Sequence, residues 1–193
     1  MKKTNALSLV LTVLFGSAAI AAEPIDGEKK EVKIDQSTVT WKGYKVTGSH
    51  HGTIALKEGH LIFEDEKLTG GEFTVDMTTL VSNDLEGEYK GKLEGHLKSD
   101  DFFGTETHPN ANLVFTKVKS TGKNSYEVTG DLTIKGKTNP VTFDLSVYGS
   151  KATANVKIDR SKYDVRYGSG SFFDNLGDKT IYDEFDLVVD LVF

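Results

Sequence analysis

The chain has 193 residues, with 23 Lys and Arg against 29 Asp and Glu, a formal net charge of −6, and no cysteine. This length suits one domain with a single hydrophobic core. The absence of cysteine excludes a disulfide scaffold, a thiol nucleophile and a thiolate metal site. The acidic balance argues against a nucleic-acid partner, because binding phosphates requires a basic face.

Residues 1–21 have the features of a secretory signal peptide. Two lysines follow the initiator methionine, Leu7–Ile20 is apolar, and small residues precede a predicted cleavage after Ala21 or Ala22. The apolar stretch is shorter than the roughly 20 residues that span a bilayer, which favours a cleaved leader over an anchor. We therefore expect a mature domain over 22–193, located in the periplasm or, as the alternative, secreted, with no integral membrane span.

Apolar and polar residues alternate along most of the remaining chain, which is typical of strands with one buried face. Short turns join these segments, and Asn139-Pro140 is expected to break the chain. The predicted strands are 39–46, 51–56, 59–63, 73–77, 113–115, 126–134, 141–147, 152–158 and 185–193. These nine segments correspond to about eight strands, which form a sheet of usual size. The pattern predicts an all-β fold, an antiparallel eight-stranded barrel, since closure removes exposed strand edges.

One helix is expected to interrupt the strands, over Leu85–Leu97. Its larger apolar residues recur every four positions and so share one face, with Asn83 or Asp84 as the N-cap. These apolar residues are Leu85, Tyr89, Leu93 and Leu97. Three glycines, also four apart, weaken the helix. The pattern fits either a marginal amphipathic helix held by its leucine face, or a lid near the barrel opening that reorganises when a ligand enters.

Sequence motifs for catalysis are missing. The five histidines show no zinc-binding spacing, and no nucleophile elbow or phosphate-binding loop is present. We therefore expect no enzyme activity, no metal and no cofactor. The two arginines, Arg160 and Arg166, are six residues apart and would share a face if the segment were extended. They fit either a polar site for a ligand's headgroup or, for Arg160, a structural pairing with a nearby carboxylate.

Two segments contain motifs that are specific when taken together. The first is His96-Leu-Lys-Ser-Asp-Asp-Phe-Phe103 followed by His108-Pro109, and the second runs from Val128 to Val141 with a Gly-Asp-Leu-Thr-Ile-Lys-Gly core. Both resemble the central motifs of the YceI-like polyisoprenoid-binding proteins. The resemblance spans essentially all of the mature chain. It departs at Asp164, where many relatives have glycine, and in an additional loop over 168–177.

This resemblance implies a lipocalin-like barrel closed around an apolar tunnel. The ligand would be a long isoprenoid lipid, such as a quinone tail or a polyprenyl lipid, and the protein its periplasmic binder or carrier. Efficient binding would come from burial of the chain, at roughly 0.8 kcal/mol per methylene. A homodimer is compatible with the resemblance, but no feature of the sequence indicates one.

The alternating apolar positions and the implied tunnel together give three sets of candidate site residues. The apolar lining is assigned to Trp41, Phe73, Val75, Phe115, Leu132, Phe143, Leu145 and Phe185. The lid or mouth is assigned to Leu85, Tyr89, Leu93, Phe172 and Phe173. The headgroup is assigned to Arg160, Arg166 and His96.

Two other function classes stay open. An outer-membrane β-barrel also alternates apolar with polar residues, and the alternation ending at Phe193 is of that kind. Dense charge on the polar face and the missing aromatic girdles argue against it. A lipid-acting enzyme using the same cavity is the weaker alternative, because no catalytic triad is evident.

Overall fold

Nine β-strands and one α-helix form the regular structure of residues 27–193, the part of the chain that the computed structural model describes. The predicted signal peptide lies outside these residues. The strands are β1 (Glu28–Glu31), β2 (Thr38–Lys45), β3 (Gly48–Glu64), β4 (Lys67–Ser82), β5 (Asn110–Ser120), β6 (Ser125–Ile134), β7 (Lys137–Tyr148), β8 (Lys151–Asp159) and β9 (Ile181–Val192). The helix is α1 (Gly87–Lys98), and 3₁₀ turns lie at Ile34–Gln36, Arg160–Tyr163 and Gly177–Lys179.

The sheet closes on itself. Its order is β1-β3-β2-β9-β8-β7-β6-β5-β4, every pair is antiparallel, and β3 also pairs with β4. Strands β2 to β9 therefore form a closed eight-stranded antiparallel barrel, which confirms the predicted fold class. The extra strand, β1, pairs with β3 over His60–Phe63, beyond the part of β3 that pairs with β2.

The two ends of the barrel differ. Tight connections at 65–66, 121–124 and 149–150 join strands at one end, which we call the turn end. The long connections over 83–109, with α1, and 160–180 lie at the opposite end, which we call the helix end. Large features can be built at the helix end because only there does the chain leave the sheet for long stretches.

Aromatic side chains fill the barrel towards the turn end. The ring centroids of Phe73 and Phe115 are 5.6 Å apart, and those of Phe115 and Phe143 are 5.9 Å apart. Gly71 makes room for this cluster, since a Cβ atom there would lie 3.0 Å from the Phe115 ring. This part of the interior is packed core.

Two strand predictions needed correction. Residues 51–63, read as two strands, belong to the single strand β3, whose pairing with β4 contains bulges near Thr53–Ala55 and Leu56–Glu58. The bulge at Leu56–Glu58 inserts a residue into β3 and reverses the face to which the following side chains point, so the alternation breaks while the strand continues. Pro140 does not break the chain but lies within β7, opposite Asp131 of β6. Proline is tolerated here because β7 pairs with β8 only from Asp144 onwards. The edge of β7 that faces β8 therefore needs no backbone N–H donor at Pro140.

The helix is shorter and less amphipathic than predicted. It begins at Gly87 and its N-cap is Glu86, with no capping bond from a side chain, so Asn83 and Asp84 are not the cap. Leu93 and Leu97 pack against the core, whereas Tyr89 is 75% exposed. Within residues 27–193, no helix has the length and apolar character needed to cross a bilayer.

Candidate ligand-binding cavity

An apolar cavity of about 320 Å³ lies inside the barrel, towards the helix end. Its volume is at the lower end of the range for small-molecule sites, roughly 300 to 1,000 Å³. Most of its wall is aliphatic or aromatic and comes from seven of the strands, from α1 and from the turn that follows α1. These side chains include Val39, Trp41, Ile54, Val75, Met77, Leu80, Leu93, Leu97, Phe102, Phe103, Ala111, Leu132, Ile134, Ile158, Ile181, Phe185 and Leu187.

Half of the predicted lining residues contact this cavity. Trp41, Val75, Leu132 and Phe185 line it, whereas Phe73, Phe115, Phe143 and Leu145 do not. The latter four point inwards as predicted but lie in the packed core nearer the turn end. Alternation indicates the face of a strand on which a side chain lies, but not its depth along the barrel axis, so it does not distinguish cavity positions from core positions.

Trp41 is fixed in the cavity wall by its backbone surroundings. Its Nε1 donates a hydrogen bond of 3.1 Å to the carbonyl of Val81 on β4. Gly52 on β3 allows this approach, because a Cβ atom there would lie 2.8 Å from Cζ2 of Trp41 and would collide with the Val81 carbonyl. With its one polar group satisfied, the indole presents apolar surface to the cavity.

The predicted lid residues are dispersed. Leu93 lines the cavity, and the neighbouring Leu97 does so as well, but Leu85 and Tyr89 do not. Phe172 and Phe173 are exposed at the surface of the 164–180 loop, outside the apolar cavity. Four of the five expected covering residues therefore do not line the apolar cavity, although Phe173 borders a second, outer pocket.

The cavity wall also includes three aromatic residues that the helical periodicity did not predict, Phe102, Phe103 and Tyr167. The two phenylalanines follow α1 in a turn and pack edge-to-face at 5.0 Å. Both are buried against the barrel interior. Their pairing within the family-like motif was the one sequence feature that pointed to them.

A second, outer pocket of about 560 Å³ adjoins the first. Its wall carries charges of both signs: Asp100, Asp101, Lys135, Asp164, Arg166 and Lys179, together with Phe173 and Leu176. Tyr167 lines both pockets, so its half-exposed ring marks the boundary between the apolar interior and this charged outer space.

Arg160 is a structural residue at the cavity wall. Its guanidinium donates to three backbone carbonyls, those of Val165 at 2.7 Å, Ile181 at 2.9 Å and Tyr182 at 3.2 Å. The residue is only 2% exposed, and burial lowers the pKa of the guanidinium, opposed mainly by the nearby Asp183 carboxylate at 3.4 Å. Of the two readings from sequence, the geometry therefore supports the structural one, with backbone carbonyls as the main partners.

Arg166 lies apart from Arg160. Its Nε donates a 2.6 Å hydrogen bond to Asp164, and its guanidinium stacks 5.0 Å from the ring centroid of Phe172. The segment between the arginines is not extended, since it forms a 3₁₀ turn and then reverses at Asp164, where φ is +61°. The expected shared face is therefore absent, and Arg166 borders the outer pocket instead.

His96 is a predicted headgroup residue that lines the apolar cavity and has an unpaired polar atom. It lies in the last turn of α1, edge-on to Tyr167 at 4.3 Å and to Phe102 at 5.7 Å between ring centroids. Its Nε2 is buried and has no hydrogen-bond partner among the described residues. These aromatic contacts fix the orientation of the imidazole.

His50 also lines the cavity and was not predicted to do so. Its Nδ1 lies 2.8 Å from Oδ2 of Asp84. Burial would raise the pKa of the Asp84 carboxyl, but hydrogen bonds from Ser82 Oγ, His50 and the His51 backbone lower it to about 2. Asp84 thus orients His50 rather than capping α1. Within 27–193, no group of three or more His, Asp and Glu side chains is placed to hold a metal ion.

A family model for the YceI-like domain matches residues 26–193. This chain belongs to the YceI-like family. A UPF0312 protein of Pseudomonas putida is 36% identical over 153 residues, which cover 77% of this YceI-like chain and 74% of that relative. A UPF0312 protein of Pseudomonas fluorescens is 33% identical over the same length.

Solved structures have the same fold as this YceI-like domain. Burkholderia cenocepacia BcnA superposes with a TM-score of 0.68 at 25% identity, covering 84% of this chain and 99% of that one. A polyisoprenoid-binding domain from Saccharophagus degradans superposes with a TM-score of 0.58 at 13% identity, covering 83% and 95% of the two chains. At this low identity, the second likeness concerns the fold alone.

Proposed function

We propose that this protein binds a long isoprenoid lipid in the barrel cavity and carries it through the periplasm. The observation that carries the proposal is the apolar cavity itself, enclosed by strands and α1 and lined almost entirely by hydrophobic side chains. Membership of the YceI-like family supports an apolar ligand, as does the fold shared with the polyisoprenoid-binding domain from Saccharophagus degradans.

An isoprenoid chain suits the dimensions of the two pockets. The inner cavity of about 320 Å³ accommodates one end of the chain, where burial of each methylene contributes roughly 0.8 kcal/mol. The remaining length passes Tyr167 into the outer pocket, whose volume is about 560 Å³. In this arrangement the ligand crosses the boundary between the apolar and the charged space.

The direction of the side chains favours this function over that of an outer-membrane barrel. Along β8 the inward positions are Ala152, Ala154, Val156 and Ile158, all buried. The outward positions are Lys151, Thr153, Asn155 and Lys157, all exposed. A transmembrane barrel presents an apolar band outwards and a polar interior, which is the opposite arrangement.

A lipid-acting enzyme is less well supported. The His50–Asp84 pair has the form of an oriented base, but Ser82 Oγ donates its hydrogen bond to Asp84 at 2.7 Å instead of to His50. A serine nucleophile requires the hydroxyl to be held by the histidine. This arrangement orients the imidazole without activating a nucleophile.

The proposal is tested with the single tryptophan, Trp41, which lines the cavity. Delipidated protein titrated with a long-chain polyprenol is expected to show a saturable change in Trp41 fluorescence. Protein purified from its native host is expected to release an isoprenoid detectable by mass spectrometry, and osmotic shock without detergent is expected to release the protein. No fluorescence change together with no co-purifying lipid would contradict the proposal.

A further inference from the structure

One side chain of the cavity wall has a buried polar atom with no partner among the described residues. This atom is Nε2 of His96, which is shielded from solvent and makes no hydrogen bond within residues 27–193. The imidazole itself is part of the cavity wall. A buried polar group without a hydrogen bond is destabilising, so a group that pairs with it gains free energy on binding.

Four other polar side chains around the cavity already have partners. Arg160 donates to three backbone carbonyls, and Trp41 Nε1 donates to a fourth. Tyr44 donates to Asp186 at 2.6 Å, and His50 Nδ1 is bonded to Asp84. His96 is distinguished from all four by a ring nitrogen that is buried and unpaired.

The fixed orientation of His96 makes it suitable for recognition. The edges of Phe102 and Tyr167 contact the ring and supply no polar partner, so they position the imidazole without using Nε2. A neutral imidazole nitrogen accepts a hydrogen bond from a hydroxyl or, in the other tautomer, donates one to a carbonyl. Both groups are uncharged, which suits an apolar cavity that would penalise a charged one.

We infer that His96 Nε2 recognises the polar terminal group, a hydroxyl or a carbonyl, of the lipid in the cavity. It thereby makes the protein select lipids that carry such a group over hydrocarbons of the same length. The inference rests on the proposed function, because it assumes that an apolar chain occupies the cavity. It adds which atom of the protein selects the ligand and which chemical class is selected.

The test compares two probes with the same branched carbon skeleton, farnesol and farnesene, of which only farnesol has a hydroxyl. Trp41 fluorescence gives the dissociation constant of each for the wild-type protein and for His96→Leu. We expect the farnesol-to-farnesene affinity ratio to fall about threefold to tenfold in His96→Leu, the range of one neutral hydrogen bond. Comparing ratios cancels the different solubilities of the two probes.

Two further variants separate recognition from packing. His96→Gln retains a donor and an acceptor and is expected to restore much of the ratio. His51→Leu removes an exposed histidine that does not line the cavity, and it is expected to leave the ratio unchanged. Circular dichroism and the denaturation midpoint establish that each variant is folded.

The outcomes are distinguishable. An unchanged ratio in His96→Leu, or equal weakening of both probes, would overturn the inference and leave the proposed function standing. Failure of either probe to bind the wild-type protein, with no response to a long polyprenol, would overturn the proposed function and the inference with it. A lowered ratio restored by His96→Gln would support both.

Discussion

Arg160 links two segments at the helix end of the barrel that are about 16 residues apart in the sequence. Its donors bind the carbonyl of Val165 at the start of the long loop and those of Ile181 and Tyr182 at its end. We predict that Arg160→Met lowers the free energy of unfolding by about 3–5 kcal/mol, because one buried and two partly buried carbonyl acceptors lose a charged donor. Urea denaturation measures the change.

Arg166→Met is the matched control for that prediction. Arg166 is exposed, and its ion pair with Asp164 is at the surface, where such pairs contribute little. We expect its denaturation midpoint to stay close to that of the wild-type protein. Similar losses in both variants would contradict the assignment of Arg160 as the structural tie.

Asp84 gives stability that depends on pH. Its pKa is lowered from 3.8 to about 2, so the folded state favours the carboxylate and gains stability above the ordinary pKa. This contribution is lost as the pH falls from about 4 through 2. We predict that Asp84→Asn is less stable than the wild-type protein by about 1–2 kcal/mol at pH 7, and that the difference shrinks towards pH 2.

Denaturant unfolding at pH 7, 4 and 2 tests the Asp84 prediction. Asp35→Asn, at an exposed position in a 3₁₀ turn, controls for the loss of one negative charge. A stability difference for Asp84→Asn that stayed constant over this pH range would contradict the linkage.

At the scale of single residues, the sequence indicates the type of each residue and the strand face on which it lies. It does not indicate the hydrogen-bond partners that determine the role of that residue. The sequence offered two possible roles for Arg160, but its three backbone acceptors come from residues 165, 181 and 182, whose proximity depends on closure of the barrel. The partnership of His50 with Asp84 likewise joins β3 to the end of β4 across 34 positions. Local patterns contain no record of such contacts.

At the scale of an element, α1 keeps glycines where alanine would fit. A Cβ atom at Gly91 or Gly95 would meet nothing within 4 Å. We predict that Gly91→Ala and Gly95→Ala each raise the stability of the protein by up to about 1 kcal/mol, because alanine favours the helix. Thermal unfolding followed by circular dichroism measures the gain.

Gly87→Ala separates helix propensity from backbone strain. Gly87 also has open space around it, but its φ of +55° is unfavourable for alanine, and we expect Gly87→Ala to lower the stability of the protein by about 1 kcal/mol.

The variants Gly91→Ala and Gly95→Ala also test the lid hypothesis, since His96 and Leu93 of α1 line the cavity. Slower polyprenol binding in those variants would support a lid, and an unchanged rate would contradict it.

Strand elements with unbroken alternation were predictable nearly to the residue. In β6, Tyr126, Val128 and Leu132 are buried as the pattern requires. In β3, the buried set changes from even positions such as Leu56 to odd positions such as Leu61, across a bulge. A bulge is indistinguishable from a strand end when only the alternation of side chains is considered, and this explains why β3 was divided.

At the scale of the whole molecule, the barrel divides into a packed half and a hollow half. The aromatic cluster of Phe73, Phe115 and Phe143 lies outside the cavity wall, whereas Ala111, also on β5, is part of that wall. One strand thus contributes to stability at one position and to ligand space at another. Ala111 and Phe115 both point inwards, so the alternation does not distinguish them. Their depth in the barrel, and hence their different roles, follows only from the register of all eight strands.

This division predicts that stability and binding can be altered separately from one strand. Phe115→Ala should lower the free energy of unfolding by about 3–5 kcal/mol, because it opens a hole in the packed cluster, while polyprenol affinity in the folded protein stays near the wild-type value. Ala111→Phe should do the reverse, because its ring occupies cavity space: affinity falls at least tenfold, and the stability cost stays at about 1–3 kcal/mol. Urea denaturation and Trp41 fluorescence titration of both variants measure the two effects. If Ala111→Phe bound polyprenol as tightly as the wild-type protein, the ligand would have to lie elsewhere than in the cavity at the helix end.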